Sequence, residues 1–430
     1  MRPFPSAQCG NRRTGQAVHV SSSQAGASRR DDVRFEDANW AWGRDLPLRY
    51  LLVSEEWDRE QTLWARCADA DGLFVDPIPR REALTLVACA PTGRLLKAID
   101  QSAHEPVSLG HLFVTVEFPD DHEDSWSGYW VHYWNLDDVV VVASRPSETD
   151  PLLVDVVVEA EVTGPTQPSY RPGRISEPKV SEAYINNGTG SGIGQCRRIA
   201  GLYVDRPTPT AAPMRLIGCE PTEQMLSRLV RRRTTGDPVK LWAVDSTGKV
   251  IRTEERLTLH ITESRPSVLG SALIDISLRE GVEYPPQLAA RPVWKAWYEG
   301  APSERNEWAR FSPGGREEWL RFTNASLGEV PADGTCHLDG SFVTDVAGLK
   351  CALGEAVAGP GNHFGQCWGV LKGCPCGGNA IPEPFTLIWH DAEVARQALA
   401  SVSVDAAGEL TYFESTVRFL EQLGVTVVLR

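Results

Sequence analysis

Two stretches of the chain repeat one another in the same order, and this duplication limits the possible folds more than any other feature. Cys67…Gly72-Leu73-Phe74-Val75-Asp76 recurs as Cys196…Gly201-Leu202-Tyr203-Val204-Asp205. Leu86-Val87-Ala88-Cys89-Ala90-Pro91-Thr92 recurs as Leu216-Ile217-Gly218-Cys219-Glu220-Pro221-Thr222. Each copy then enters an amphipathic stretch, Leu95-Leu96-Lys97-Ala98-Ile99 and Met225-Leu226-Ser227-Arg228-Leu229. Further on, Ser144-Arg145-Pro146-Ser147…Asp155 answers Ser264-Arg265-Pro266-Ser267…Asp275. Blocks that match in order mark an internal repeat, so both copies are expected to fold alike.

Each copy reads as strand, strand, helix, then further strands. Thr92 and Thr222 stand where a helix N-cap accepts free N–H groups of the first turn. The alternating runs after each helix, Leu153 to Val158 and Ala272 to Ser277, fit half-buried antiparallel strands. The expectation is therefore two duplicated α+β domains, at residues 46–165 and 196–330. Residues 166–195 between them, rich in Pro, Gly, Ser and Asn, read as a linker. Residues 1–45 carry little apolar periodicity and read as a disordered tail. The Trp-rich residues 291–325 extend the second copy, and their packing partner is left open.

At 430 residues the chain is too long for one ordinary core. A net charge of −14 argues against nucleic acid as a general partner, because phosphate binding needs clustered cations. The run Arg231-Arg232-Arg233 reads as a solvated helix end. No apolar window reaches membrane-spanning length, and no signal-peptide core follows Met1, so a cytoplasmic location without membrane association is expected. In that compartment the ten cysteines read as reduced thiols. Cys367, Cys374 and Cys376 lack the paired spacing of a zinc site.

The last hundred residues form a third unit, 331–430. Cys336 to Gly340 reads as a strand and turn. Thr344-Asp345 cap a helix with Leu349, Ala352, Leu353, Ala356 and Val357 on its apolar face. Pro384 to Trp389 is a buried strand. A helix starts at Asp391, another carries Phe413, Val417, Leu420 and Leu423, and Val425 to Leu429 closes the chain as a strand. This order fits a small parallel sheet covered by helices. On these segments, together with His363-Phe364-Gly365-Gln366 and Trp389, the unit resembles the barstar family of ribonuclease inhibitors. The resemblance covers about a quarter of the chain. It implies an α/β domain that binds a protein, a nuclease-like toxin being the candidate partner, through His363, Phe364, Gln366, Cys367, Gly369, Lys372 and Gly373. The family meets the enzyme's cations with carboxylates, and here both acidic positions are glycine, Gly369 and Gly373, with Lys372 between them. From residue 335 onward ten Asp and Glu still face five Lys and Arg.

Other chemistry finds little support. Gly188 to Gly194 lacks the G-x-G-x-x-G spacing and a preceding strand. His122 lies in an acidic loop that reads as solvated. Trp130, His132 and Trp134 share one strand face, for which packing is the plain explanation. No catalytic, cofactor-binding or metal-binding residue is assigned, and no cofactor is expected. The expected protein is a non-enzymatic, protein-binding inhibitor or immunity-type protein with an altered interface. The alternative is enzyme or scaffold activity in the duplicated domains, with the C-terminal unit as an appendage. A polar pocket holding Asp76 and Asp205 would favour the alternative; capping of surface turns by these aspartates would not. Oligomeric state is left open.

Overall fold

The computed structural model describes residues 35–55, 61–76, 81–119, 129–166, 177–178, 181–187, 192–204, 212–230, 236–325, 334–363, 385–400, 402, 404 and 410–430. In the first copy a hairpin of β1 (Tyr50–Glu55) and β2 (Gln61–Asp71) precedes β3 (Arg81–Pro91), α1 (Gly93–Ser102), β4 (Val107–Pro119), β5 (Tyr129–Pro146) and β6 (Val154–Thr166). The second copy repeats the plan. A hairpin of β7 (Glu182–Asn187) and β8 (Gly192–Ala200) precedes β9 (Met214–Pro221), α2 (Glu223–Val230) and β10 (Asp237–Val244). The counterpart of the long β5 is broken at His260 into β11 (Val250–Leu259) and β12 (Ile261–Pro266), followed by β13 (Ile274–Leu278).

The copies do not fold side by side; they exchange hairpins. Strands β3, β6, β5, β4, β7 and β8 form a closed antiparallel barrel, so the first copy is completed by the second copy's hairpin. The seven-stranded sheet runs β11-β10-β1-β2-β9-β13-β12, so the second copy is completed by the first copy's hairpin. Its two edges are consecutive strands, which makes it the same ring opened at His260.

The expectation of two α+β domains followed by an α/β domain is corrected here. The described residues are mostly β, built on a closed antiparallel barrel and antiparallel sheets, and the parallel sheet with its helices is a minor part. Each duplicated helix is a single short element against a strand-rich body. The stretch 166–195, read as a linker, contains β7 and the start of β8.

Period-two alternation fills both interiors. Leu84, Leu86, Val114, Val116, Val139, Val141, Val156 and Val158 line the first, with Leu95 and Ala98 of α1 packed into the same cluster. Leu52, Trp64, Leu216, Leu241, Leu257 and Ile276 line the second, and Met225 of α2 occupies the place that Leu95 holds in the first.

Behind the second sheet lie α3 (Arg291–Glu299) and α4 (Pro313–Phe322), which settle where the Trp-rich region packs. Trp294 meets Tyr50 and Phe74 of the first copy's exchanged segment, and its indole N–H donates to the buried Glu318 carboxylate at 2.7 Å. Toward the C-terminal unit, Arg316 pairs with Asp345, and the Asn306 side chain donates to Asp339 at 2.7 Å. The region therefore bridges the sheet and the C-terminal unit. That unit contains β15 (Thr335–Asp339), β17 (Thr386–His390) and β18 (Thr426–Leu429) as a parallel three-stranded sheet in that order. A two-residue parallel pair joins β14 (Asn324–Ala325) to β16 (Asn362–His363). Among the described residues the unit's helices are α5 (Val346–Ala358), α6 (Ala392–Ala398) and α7 (Tyr412–Gln422). Asp345 caps α5 by accepting from the Gly348 N–H, and a Thr411–Glu414 capping box starts α7. The buried Asn187 of β7 donates to the Val404 carbonyl at 2.9 Å, so the C-terminal unit also touches the first barrel.

Candidate functional site

Of the residues that the resemblance implicates, His363 lies on a described element. Phe364, Gln366, Cys367, Gly369, Lys372 and Gly373 lie outside the described residues. His363 is 5% exposed, and its Nδ1 is 3.0 Å from the Thr323 hydroxyl, immediately after α4. Burial lowers the His363 pKa from its ordinary value. The imidazole is therefore an internal anchor rather than a group offered to a partner. On the other side of the segment Phe385 is 3% exposed, and its carbonyl accepts from the Thr426 N–H. Residues 364–384 thus leave from one buried anchor and return to another on a framework of parallel strands.

The duplicated blocks build a second constellation, one per copy. Asp155 is buried, and its Oδ1 accepts from the Ala88 N–H at 2.9 Å. Arg145 reaches its other oxygen at 3.5 Å. The Ala88 bond, followed by the Ser147 hydroxyl and Arg145, outweighs burial and lowers the Asp155 pKa. Ala88 sits at φ 50°, inside a register shift between Leu86 and Cys89. In the second copy Asp275 accepts from the Gly218 N–H at 3.0 Å, Gly218 has φ 60°, and Arg265 lies 3.7 Å from the carboxylate. Each aspartate thus pins a bulge immediately before a core cysteine, Cys89 or Cys219. The Ser-Arg-Pro-Ser…Asp repeat has its physical basis in that bulge.

A cleft of about 360 Å³ opens between the second sheet and α3. Its floor holds Tyr50, Phe74 and Trp294, and its rim holds Arg49, Asp69, Asp71, Arg291, Lys295 and Tyr298. The Arg49 guanidinium lies 4.4 Å from the Tyr298 ring centroid, and Arg291 lies 5.3 Å from that of Phe74. Asp71 is already paired with Arg215 at 3.2 Å. Sequence reading missed this site because its wall comes from both copies and from α3, and no local pattern joins three distant segments. The repeat block ending at Asp76 was its one trace. The Asp76 side chain accepts from the Leu288 N–H at 2.8 Å, the start of a 3-10 turn, which is the capping outcome; Asp205 lies outside the described residues.

The Trp130 face reads as packing where it is described. Trp134 is buried against Tyr203 in edge-on contact, and His132 Nδ1 is 2.9 Å from the Tyr203 hydroxyl. Among the described residues no group of three or more His, Cys, Asp or Glu could hold a metal ion. No helix among them is long and apolar enough to cross a membrane. Comparison with known proteins found no match among family models, curated proteins or solved structures.

Proposed function

We propose that the chain is a protein-binding protein of the inhibitor or immunity type, with residues 364–384 as its recognition segment and a nuclease-like toxin as the candidate partner. The observation that carries this reading is the double anchoring of the segment, at His363 and at Phe385, on the parallel-strand unit. Its partner chemistry differs from that of the barstar family, because Gly369, Lys372 and Gly373 replace the acidic pattern by which that family meets cations. The test is titration of a secreted, basic ribonuclease with the full chain, beside a Gly369→Asp/Gly373→Asp variant. Close charge pairs across interfaces couple by roughly 1.5–7 kcal/mol, so the restored carboxylates should lower the Kd at least tenfold. If neither protein binds and neither slows RNA cleavage, the inhibitor reading fails.

A second reading rests on the cleft beside α3, whose volume falls in the range of about 300–1,000 Å³ usual for small-molecule sites. Three rim cations over an aromatic floor suit an aromatic or nucleoside-like anion. A thermal-shift panel of aromatic carboxylates and nucleoside phosphates checks it. A rise in Tm that Arg49→Ala and Arg291→Ala both abolish supports the cleft; no shift across the panel refutes it.

A further inference from the structure

The hairpin exchange creates two seams, and each seam carries a pair of facing cysteines. Where β2 of the first copy meets β9 of the second, Cys67 stands directly opposite Cys219, and their sulfurs are 2.8 Å apart. Where β8 of the second copy meets β3 of the first, Cys196 stands directly opposite Cys89. All four side chains are buried. Directly opposed residues in antiparallel strands bring their Cβ atoms within about 4.5–5.5 Å, closer in non-hydrogen-bonded pairs, which approaches the separation a disulfide needs.

Chance placement of core thiols does not account for this arrangement. The pairs occupy equivalent positions in the two rings, and in both the body-strand cysteine follows a bulge at positive φ, Ala88 or Gly218, held by a buried aspartate. The bulge re-aims the next residue against the exchanged strand. Each pair also lies between the copies rather than within one, so a bond there would act on the exchange itself.

We propose that Cys67–Cys219 and Cys89–Cys196 are two dithiol/disulfide sites that covalently staple each exchanged hairpin to the body of the other copy. With glutathione disulfide as oxidant, a thiolate of one cysteine attacks one glutathione sulfur, forming a mixed disulfide and expelling a glutathione thiolate. The facing cysteine loses its proton to solvent and attacks the protein-side sulfur. The interstrand S–S bond forms and the second glutathione thiolate leaves. Two protein thiols are oxidised by two electrons, and one glutathione disulfide is reduced to two glutathiones.

Timing follows from the environment. Thiol–disulfide exchange needs a thiolate and access to it. Burial pushes the Cys89 pKa up to about 12 and raises those of Cys196 and Cys219 as well. All four docked thiols are buried away from an oxidant, so bond formation belongs to the interval before a hairpin docks or while it is open. Once formed, the bonds close loops of 152 residues (67 to 219) and 107 residues (196 minus 89), and they are shielded from reductant.

The test is refolding of the full chain from denaturant in a glutathione redox buffer or in excess reductant. Free thiols are blocked with N-ethylmaleimide, and crosslinked peptides are mapped by mass spectrometry. The expected result is two crosslinks, 67–219 and 89–196, in the oxidised sample, with none when glutathione disulfide is added to the already folded, reduced chain. Cys219→Ser should lose the first crosslink and keep the second; if that variant fails to fold, the wild-type map decides alone. Absence of both crosslinks after oxidative refolding overturns the proposal, as does scrambled pairing with the other six cysteines.

Discussion

Replacing Asp155 with alanine removes the side chain that bonds the Ala88 N–H, at a bulge where a residue with a Cβ is held at φ 50°. Hydrogen bonds to a charged group contribute about 1.5–3 kcal/mol, and a buried donor left unpaired forfeits a similar amount. Arg145 is largely exposed and adds at most about 0.5 kcal/mol. The left-handed conformation disfavours alanine by about 1–2 kcal/mol, a cost that the Asp155 bond offsets. Asp155→Ala should therefore lower stability by about 2–4 kcal/mol, and Asp155→Asn, which keeps an acceptor oxygen, by about 1 kcal/mol. The folded Asp155 pKa is depressed, so its contribution is present above the unfolded carboxylate value near pH 3.9 and is lost as pH falls through the folded value. The gap between wild type and Asp155→Ala should thus narrow in acid, toward the gap between Asp155→Asn and Asp155→Ala, because a protonated carboxyl still accepts from the Ala88 N–H. Urea unfolding by tryptophan fluorescence at pH 7 and pH 3, with hydrogen exchange at the Ala88 amide, measures both effects. A change under about 0.5 kcal/mol at pH 7, with unchanged Ala88 exchange, would refute the assignment of Asp155 as the bulge's holder.

Further expectations concern the packing and the anchors. Leu95→Ala in α1 and Met225→Ala in α2, both fully buried, should each lower stability by about 2–5 kcal/mol, read by denaturant midpoint. A loss at only one of them would break the equivalence of the two copies. Arg252 and Glu255 form a buried pair at 2.7 Å beside Trp294, so Glu255→Leu should destabilise by about 3–5 kcal/mol. Arg252→Met/Glu255→Leu together should recover much of that, and an additive double variant would argue against the pair. The depressed His363 pKa means its anchoring is complete above the unfolded value near pH 6.5 and is lost as pH falls through the folded value. Limited proteolysis should then cut residues 364–384 faster at pH 5 than at pH 7, and equal rates would contradict His363 as an anchor.

Much of the local structure was legible because it depends on contacts close in sequence. The face of Leu349, Ala352, Leu353, Ala356 and Val357 is buried on α5, and Asp345 caps it, since helical period and cap geometry are properties of a few adjacent residues. Thr222 accepts from the Met225 N–H at 3.4 Å in the expected N-cap position, whereas the side chain of Thr92 makes no cap bond to α1. The sheets were less legible. Alternating runs announced strands, but their pairing rests on partners over a hundred residues away, such as Cys67 with Cys219. The stretch 166–195 looked like a linker because β7 is short and its neighbours are polar, although Ala183 and Ile185 are core residues of the first barrel. The cleft beside α3 left almost no trace, because its wall is assembled from β1, β2, β9, β10, β11 and α3.

By itself, then, the amino-acid sequence determined the duplication, the existence of most strands and helices, and the order of elements in the C-terminal unit. All of these follow from the periodicity of neighbouring side chains. The tertiary structure decided which hairpin completes which ring, which cysteines face one another, and where charged and aromatic side chains converge. Both copies offer the same strand edges, so local pattern cannot distinguish a self-completed copy from an exchanged one. That choice is made by the connections and the buried seams, which exist once the whole chain has packed.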